Sequence, residues 1–152
     1  MKKLLLAALL AIISICPAFC EDNSSVDLKD LEIAYLMNFK GDYVSGLDYA
    51  LKSIEADPTN ASAYLQAGIA LRMQERPLEA LDMYTEAAKH VKKDRQLKGL
   101  IFGEISKSYE DIGEYKSAIE YADKAIKEDG KNTDLLLHRG LLLQEMGNKN
   151  AI

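Results

Sequence analysis

Short turns recur along this chain at a nearly constant interval. The interval from the turn at Gly41 to that at Glu75 equals the interval from Gly113 to Gly147. The interval between Glu75 and Gly113 is longer by four residues, which indicates a four-residue insertion. Each turn separates two stretches whose apolar residues have helical periodicity. The sequence therefore predicts a series of similar helix–turn–helix units.

Small residues recur with the same spacing, in the middle of each first helix and near the start of each second helix. Small side chains at matched positions allow two helix axes to approach to about 8 Å. The composition is also typical of a helical chain, with 7% aromatic residues and no tryptophan. The recurring positions are Ala34, Gly68, Ser106 and Gly140 in the first helices, and Gly46, Ala80 and Ala118 in the second helices, followed seven residues later by Ser53, Ala87 and Ala125.

This pattern resembles the tetratricopeptide repeat, a 34-residue helix–turn–helix unit. The resemblance covers residues 27–152 and implies an all-α solenoid of three full repeats, 27–60, 61–94 and 99–132, followed by one C-terminal helix in a partial repeat, 133–152. Asn60 is predicted to cap the helix after the first inter-repeat turn. The sequence departs from the family pattern at Asp30, where a large aromatic residue is usual, and at Lys92, where proline is expected. The predicted helices are 28–40, 43–55, 61–75, 77–93, 97–112, 115–128 and 133–146.

The four-residue insertion has two interpretations. No helix breaker occurs in residues 89–97, so we expect the second helix of unit two to run about one turn longer, to residue 93. A looser loop over residues 92–96 is the alternative.

Residues 1–20 have the pattern of an export signal. Lys2 and Lys3 precede twelve residues, 4–15, of which only Ser14 is polar, and small residues follow. The sequence therefore predicts a signal peptide at 1–20, a flexible N-terminus at 21–26, and a periplasmic or secreted protein. An uncleaved membrane anchor and a lipoprotein anchored through Cys20 are the alternatives. No disulfide framework is expected, because both cysteines lie in this leader.

Charge and motif content argue against two broad classes of function. Without Lys2 and Lys3 the chain has 17 basic and 24 acidic residues, so its net charge is negative. Nucleic-acid binding depends mostly on basic residues that contact phosphates, so this charge disfavours it. The sequence shows no phosphate-binding glycine loop, no nucleophile elbow and no paired-cysteine motif. We therefore expect neither an enzyme nor a protein with a cofactor, a metal or a nucleic-acid partner.

The resemblance also implies where a partner binds, because the first helices of this family form a concave groove. Repeat positions place six apolar residues there, and a more acidic strip follows in unit three. Members that bind acidic chaperone tails use Lys, Asn and Arg at positions that here hold Leu31, Tyr35, Leu65 and Ile69. An apolar or basic peptide or protein partner is therefore expected. The predicted groove residues are Leu31, Tyr35, Phe39, Leu65, Ile69 and Met73.

The last helix is apolar nearly all the way round, although no second helix follows it in residues 133–152. Exposed leucines favour association, so we expect this helix either to pair with a second copy or a partner, or to pack on unit three with some leucines exposed. The predicted oligomer face is Leu137, Leu141, Leu142 and Met146. The leading hypothesis is a non-catalytic adaptor of the bacterial cell envelope, and the alternative is a self-assembling subunit that dimerises through this helix.

Overall fold

The computed structural model describes residues 29–150, and within them it contains seven α-helices and no strand. The predictions for the leader, for residues 21–26 and for both cysteines lie outside these residues. The helices are α1 (Asp30–Lys40), α2 (Tyr43–Ala56), α3 (Ala61–Met73), α4 (Pro77–His90), α5 (Arg95–Asp111), α6 (Tyr115–Glu128) and α7 (Thr133–Asn150).

The helices form three hairpins, α1–α2, α3–α4 and α5–α6, and α7 packs on α6. The first helices are neighbours in succession, since α1 contacts α3 and α3 contacts α5. Each second helix also contacts the first helix of the next unit. This arrangement confirms the predicted all-α helix–turn–helix solenoid with a single helix at its C-terminal end. The turn predicted at Gly147 is wrong, because α7 continues through that residue to Asn150.

The turns between paired helices require a left-handed backbone residue. Gly41 has φ = 82° and Gly113 has φ = 80°, which glycine adopts at little cost. Glu75 stands at the equivalent position in unit two and has φ = 61°, a conformation that strains a residue with a Cβ. The cap predicted at Asn60 is confirmed, because its side chain accepts hydrogen bonds from the backbone N–H groups of Ser62 and Ala63 at the start of α3.

The insertion lies where the sequence did not place it. α4 ends at His90, not at residue 93, and has 14 residues like α2 and α6. α5 has 17 residues, whereas α3 has 13, and the extra turn is at its N-terminus. The prediction of a longer α4 was wrong because Asp94 stops the helical run: its side chain accepts a hydrogen bond from Leu97 N (2.9 Å) and caps α5.

The extra turn of α5 is held against the C-terminal end of α6. Lys98 Nζ lies 3.1 Å from Glu128 Oε1, and Arg95 donates a 2.8 Å hydrogen bond to the backbone carbonyl of Lys127. The hydrogen bond from Lys98 is the main cause of a lowered pKa at Glu128. A Cβ built on Gly99 would lie 3.0 Å from the Cβ of Asp129, so the absence of a side chain there lets the two helix ends meet.

The main core lies between units two and three. Tyr84 of α4 and Ile101 of α5 are fully buried there, and the ring of Tyr84 covers Gly68 of α3. Ala34 and Ser106, at the positions equivalent to Gly68, are also fully buried, whereas Gly140 is exposed. The small residues therefore have the packing role expected in units one to three. None of the helices in residues 29–150 is long and apolar enough to span a membrane.

Candidate protein-interaction groove

The structure divides the six predicted groove residues into exposed and buried ones. Phe39 is 90% exposed, and Tyr35, one turn before it on α1, is also exposed. Met73 is exposed at the end of α3, at the repeat position equivalent to Phe39. Leu31 is half-buried. Tyr35, Phe39 and Met73 therefore expose apolar surface to solvent, and Leu31 exposes less.

Two of the predicted groove residues belong to the core instead. Leu65 is only 4% exposed and packs with the buried cluster that includes Ile101 and Ile105 of α5. Ile69 is half-buried and packs against the same cluster. The prediction was wrong for Leu65 because α5 covers that position of α3, and the repeat pattern alone does not show how closely successive first helices approach.

Beyond the exposed apolar residues, the first helices carry an ion-pair network. Arg72 of α3 lies 3.3 Å from Glu104 through its Nε and 3.3 Å from Asp111 through its Nη1. Lys107 Nζ lies 2.7 Å from Glu104 Oε1. The side chains of Arg72 and Glu104 are 18% and 15% exposed, but that of Asp111 is 40% exposed. The strip predicted as acidic is therefore partly neutralised within the chain.

Burial shifts the pKa values of the groups in and beside this network. Burial raises the pKa of the fully buried Tyr84 phenol, and the nearby charge of Glu104 raises it further. Burial works against the positive charge of Arg72, yet Glu104, Tyr84 and Asp111 together raise the pKa of Arg72. Arg72 therefore stays charged and serves as the cation that compensates two carboxylates.

The same polar contact between successive first helices occurs three times with different chemistry. Asn38 Nδ2 donates to Gln66 Oε1 at 3.0 Å, and Arg72 pairs with Glu104. In the third pair, Glu110 Oε2 lies 3.7 Å from Nδ1 of His138 in α7. The repeat intervals of the sequence relate the first partners to one another, and likewise the second partners. Successive first helices are thus joined by a ladder of equivalent contacts: amide to amide, guanidinium to carboxylate, and carboxylate to imidazole.

His138 links α7 to the rest of this surface. The Ser106 hydroxyl donates a 2.7 Å hydrogen bond to the backbone carbonyl of Ala118, so it accepts one from His138 Nε2 at 3.0 Å. Burial lowers the pKa of His138, in opposition to the attraction of Glu110. Burial therefore favours the neutral ring, whereas a proton on Nδ1 would turn its approach to Glu110 into an ion pair.

A surface cavity of about 430 Å³ opens beside this network. It is lined by Arg72, Met73, Glu75, Pro77 and Asp111. Its walls are thus the thioether of Met73, the proline ring, the carboxylates of Glu75 and Asp111, and a single guanidinium group. Of these residues the sequence predicted Met73 for the groove. It did not predict Glu75, whose sequence signal is its place in a turn where Gly41 and Gly113 are the equivalents. No group of three or more possible metal-ligating side chains occurs in residues 29–150.

The predicted oligomer face on α7 is also divided. Leu137 is 65% exposed and Leu141 is also exposed, but Leu142 is fully buried against α6, and Met146 is half-buried. The prediction was wrong for Leu142 because α7 uses that side to dock on the preceding unit. Leu136 and Leu143 are exposed instead.

Comparison with known proteins agrees with this architecture. Residues 49–82 match the family model described as tetratricopeptide repeat, a segment that covers the end of α2, all of α3 and the start of α4. This chain therefore contains a tetratricopeptide repeat at residues 49–82 and has the helical fold of such domains. No curated protein sequence matches it closely enough to count as a relative.

Solved tetratricopeptide repeat domains have the same fold. The first such domain of human RPAP3 superimposes with a TM-score of 0.73 at 14% identity, over 80% of this chain and 93% of that one. The Sgt2 domain from Aspergillus fumigatus gives a TM-score of 0.73 at 13% identity, over 82% of this chain and 81% of that one. The second domain of human RPAP3, solved in complex with the HSP70 peptide SGPTIEEVD, gives 0.67 at 15% identity, over 75% and 92%.

Proposed function

We propose that this tetratricopeptide repeat protein is a non-catalytic interaction scaffold that binds an extended peptide or a helix of a partner protein along its first helices. The observation that carries the proposal is the exposed apolar surface of Tyr35, Phe39 and Met73. Large exposed aromatic and methionine side chains are the residue types enriched in protein interfaces. The binding of an HSP70 peptide by a domain of the same fold supports this mode.

The charges on the same surface favour an apolar or basic partner over an acidic one. Arg72 and Lys107 already pair with the carboxylates of Glu104 and Asp111, and a third carboxylate, Glu110, lies beside His138. A partner carboxylate would have to compete with Glu104 and Asp111 for Arg72, and like charges would oppose it. A basic side chain would instead share the partly exposed carboxylate of Asp111 with Arg72, and would be attracted by the acidic excess of this strip.

The test is peptide binding measured by fluorescence polarisation, with matched peptides that place either basic or acidic residues around one apolar anchor. Tyr35→Asp and Phe39→Asp should each abolish binding, because the anchor would then face a carboxylate. Val44→Asp is the control, since Val44 is exposed on the second helix α2. Two results would contradict the proposed site. One is equal binding of the peptides by the unmodified protein and all three variants, and the other is tighter binding of acidic than of basic peptides.

We further infer that the protein acts in a bacterial cell envelope after export, which rests on the leader at residues 1–20. N-terminal sequencing of the protein from fractionated cells tests this. The expected product begins near Glu21 and is found outside the cytoplasm. A Cys20→Ser variant distinguishes the lipoprotein alternative, because it would lose membrane association only if Cys20 carries the lipid.

A further inference from the structure

One lengthwise face of α7 is uncovered. Leu136, Gly140, Leu143 and Gly147 follow one another at intervals of four, three and four residues, so they lie along one stripe of the helix. All four are exposed. A Cβ built on either glycine meets no other atom within 4 Å. Leu135 and the fully buried Leu142 mark the side of α7 that docks on the preceding helices. Each of them comes one residue before a leucine of the stripe, so the two sides of the helix are adjacent but distinct.

The equivalent stripe is covered by a second helix in the preceding units. At the position of Leu136, Tyr64 stacks on His90 of α4 with 5.6 Å between ring centroids. The next equivalent of Leu136, Phe102, meets Tyr121 of α6 edge-on at 6.0 Å. At the position of Gly140, Gly68 lies beneath Tyr84. α7 therefore presents a surface shaped to receive an antiparallel helix, and no helix of residues 29–150 fills it.

We propose that α7 of a second copy of this chain fills this surface, antiparallel and related by a two-fold axis. In that register Leu136 faces Gly147 of the second copy, and Gly140 faces Leu143 of the second copy. The two-fold axis repeats both contacts, so all four positions of each stripe are matched. Each leucine enters the space left by a glycine, which is the large-against-small packing that Tyr84 and Gly68 show within the chain.

The stripe itself argues for a second copy as the occupant. Residues 140 and 147 are small and seven apart, which is the spacing of Ala80 and Ala87 in α4 and of Ala118 and Ala125 in α6. On one face, α7 thus combines the large residues of a first helix with two small residues that have the spacing found in the second helices. A parallel pairing would set leucine against leucine and glycine against glycine, leaving the glycine layers unfilled.

The first test is sedimentation equilibrium of the full chain and three variants, all with the same leader, so that any association through the leader is common to them. The unmodified chain should dimerise at micromolar concentration. Gly140→Leu should weaken the dimer at least about tenfold, because it drives a leucine into Leu143 of the second copy twice. The double variant Gly140→Leu, Leu143→Ala should recover most of the loss, since it exchanges the large and small positions.

The third variant, Glu145→Leu, is the matched control because it adds the same apolar side chain on the opposite side of α7, where Glu145 is exposed. It should leave the dissociation constant of the dimer unchanged. Unspecific association of exposed leucines would instead be strengthened by both Gly140→Leu and Glu145→Leu. Three results would each overturn the proposal. The unmodified chain could be monomeric, Gly140→Leu could associate as well as the unmodified chain, or the double variant could fail to recover the dimer.

Cysteine trapping tests the register itself, in a chain whose Cys16 and Cys20 are replaced by serine. The double variant Leu136→Cys, Gly147→Cys should form a disulfide between copies under mild oxidation, whereas neither single variant should. Efficient crosslinking of the Leu136→Cys single variant would indicate a parallel pairing and contradict the proposed arrangement. Circular dichroism on each variant confirms that the helices are intact.

Discussion

The phenol ring of Tyr84 lies directly over Gly68, so that a Cβ at Gly68 would stand 2.6 Å from Tyr84 Cδ1. Tyr84 is fully buried and belongs to the main core with Ile101 and Ile105, so its ring cannot move aside without disturbing that core. This contact joins the two helices of unit two at the centre of the solenoid. It explains physically why the sequence repeats a small residue at this position.

Gly68→Ala is therefore expected to destabilise the domain by about 1–3 kcal/mol, the usual cost of overpacking a well-packed core. Gly140→Ala is the matched control, because Gly140 occupies the equivalent position of α7 and a Cβ there meets nothing within 4 Å. Measured at a protein concentration too low for α7 to pair with a second copy, that control should be neutral or gain up to about 1 kcal/mol from helix propensity. Urea unfolding gives both values, and equal effects of the two substitutions would show that the ring of Tyr84 does not constrain residue 68.

Much of the fold could be predicted because two independent signals coincide in this sequence. The turns at Gly41 and Gly113 fix the hairpins, and small residues such as Ala34 and Gly68 fix where paired helices approach. The four-residue insertion could not be placed from periodicity, because residues 89–97 read as one continuous helical run. Its position depends on a single cap at Asp94, which competes locally with continuation of α4.

The site was predictable only in part, since a repeat position gives the face of a helix but not what covers it. Phe39 and Leu65 were both predicted to line the groove, yet Phe39 is exposed and Leu65 is covered by α5. The pairing of Arg72 with Glu104 was not predicted, although their equivalents Asn38 and Gln66 show that the contact recurs in each unit. Contacts between successive first helices depend on their stacking distance, which sequence spacing does not encode.

The cap at Asp94 gives a second prediction. Asp94→Ala removes the acceptor for Leu97 N and should cost about 0.5–2 kcal/mol, with a loss of helicity at the first turn of α5. Asp94→Asn keeps an oxygen acceptor and should retain most of the stability. Lys93→Ala, next to the cap, is the control and should change the unfolding free energy by no more than about 0.5 kcal/mol. If α4 instead continued through residue 93, the Asp94 and Lys93 substitutions would have similar effects.

The two ion pairs of Arg72 should differ in strength although their distances are equal at 3.3 Å. Glu104 is mostly shielded from water, so we expect a double-mutant cycle with Arg72→Gln and Glu104→Gln to give a coupling of about 1–3 kcal/mol. The cycle of Arg72→Gln with Asp111→Asn should give less than about 1 kcal/mol, because Asp111 is more exposed.

Salt distinguishes the two pairs further. Raising the salt concentration to about 1 M should remove most of the coupling to Asp111 but little of that to Glu104, since screening acts mainly on exposed charges. The couplings follow from urea unfolding of the single and double variants at each salt concentration. Equal couplings with equal salt dependence would mean that burial does not separate the two pairs.

The last prediction concerns acid. Burial lowers the pKa of His138 below its usual value near 6.5, and the positive charges of Lys107 and Arg72 act in the same direction, while Glu110 and Glu104 oppose them. The unfolded chain therefore binds the proton more readily than the folded domain does, so stability is fully present above about pH 6.5 and falls as the pH falls through that value.

His138→Gln should remove this contribution and make the unfolding free energy less dependent on pH between about 7 and 5. Urea unfolding at several pH values in that window measures the slope for the unmodified chain and the variant. A His138→Gln chain with an unchanged slope would mean that protonation of His138 does not weaken the docking of α7 on α5.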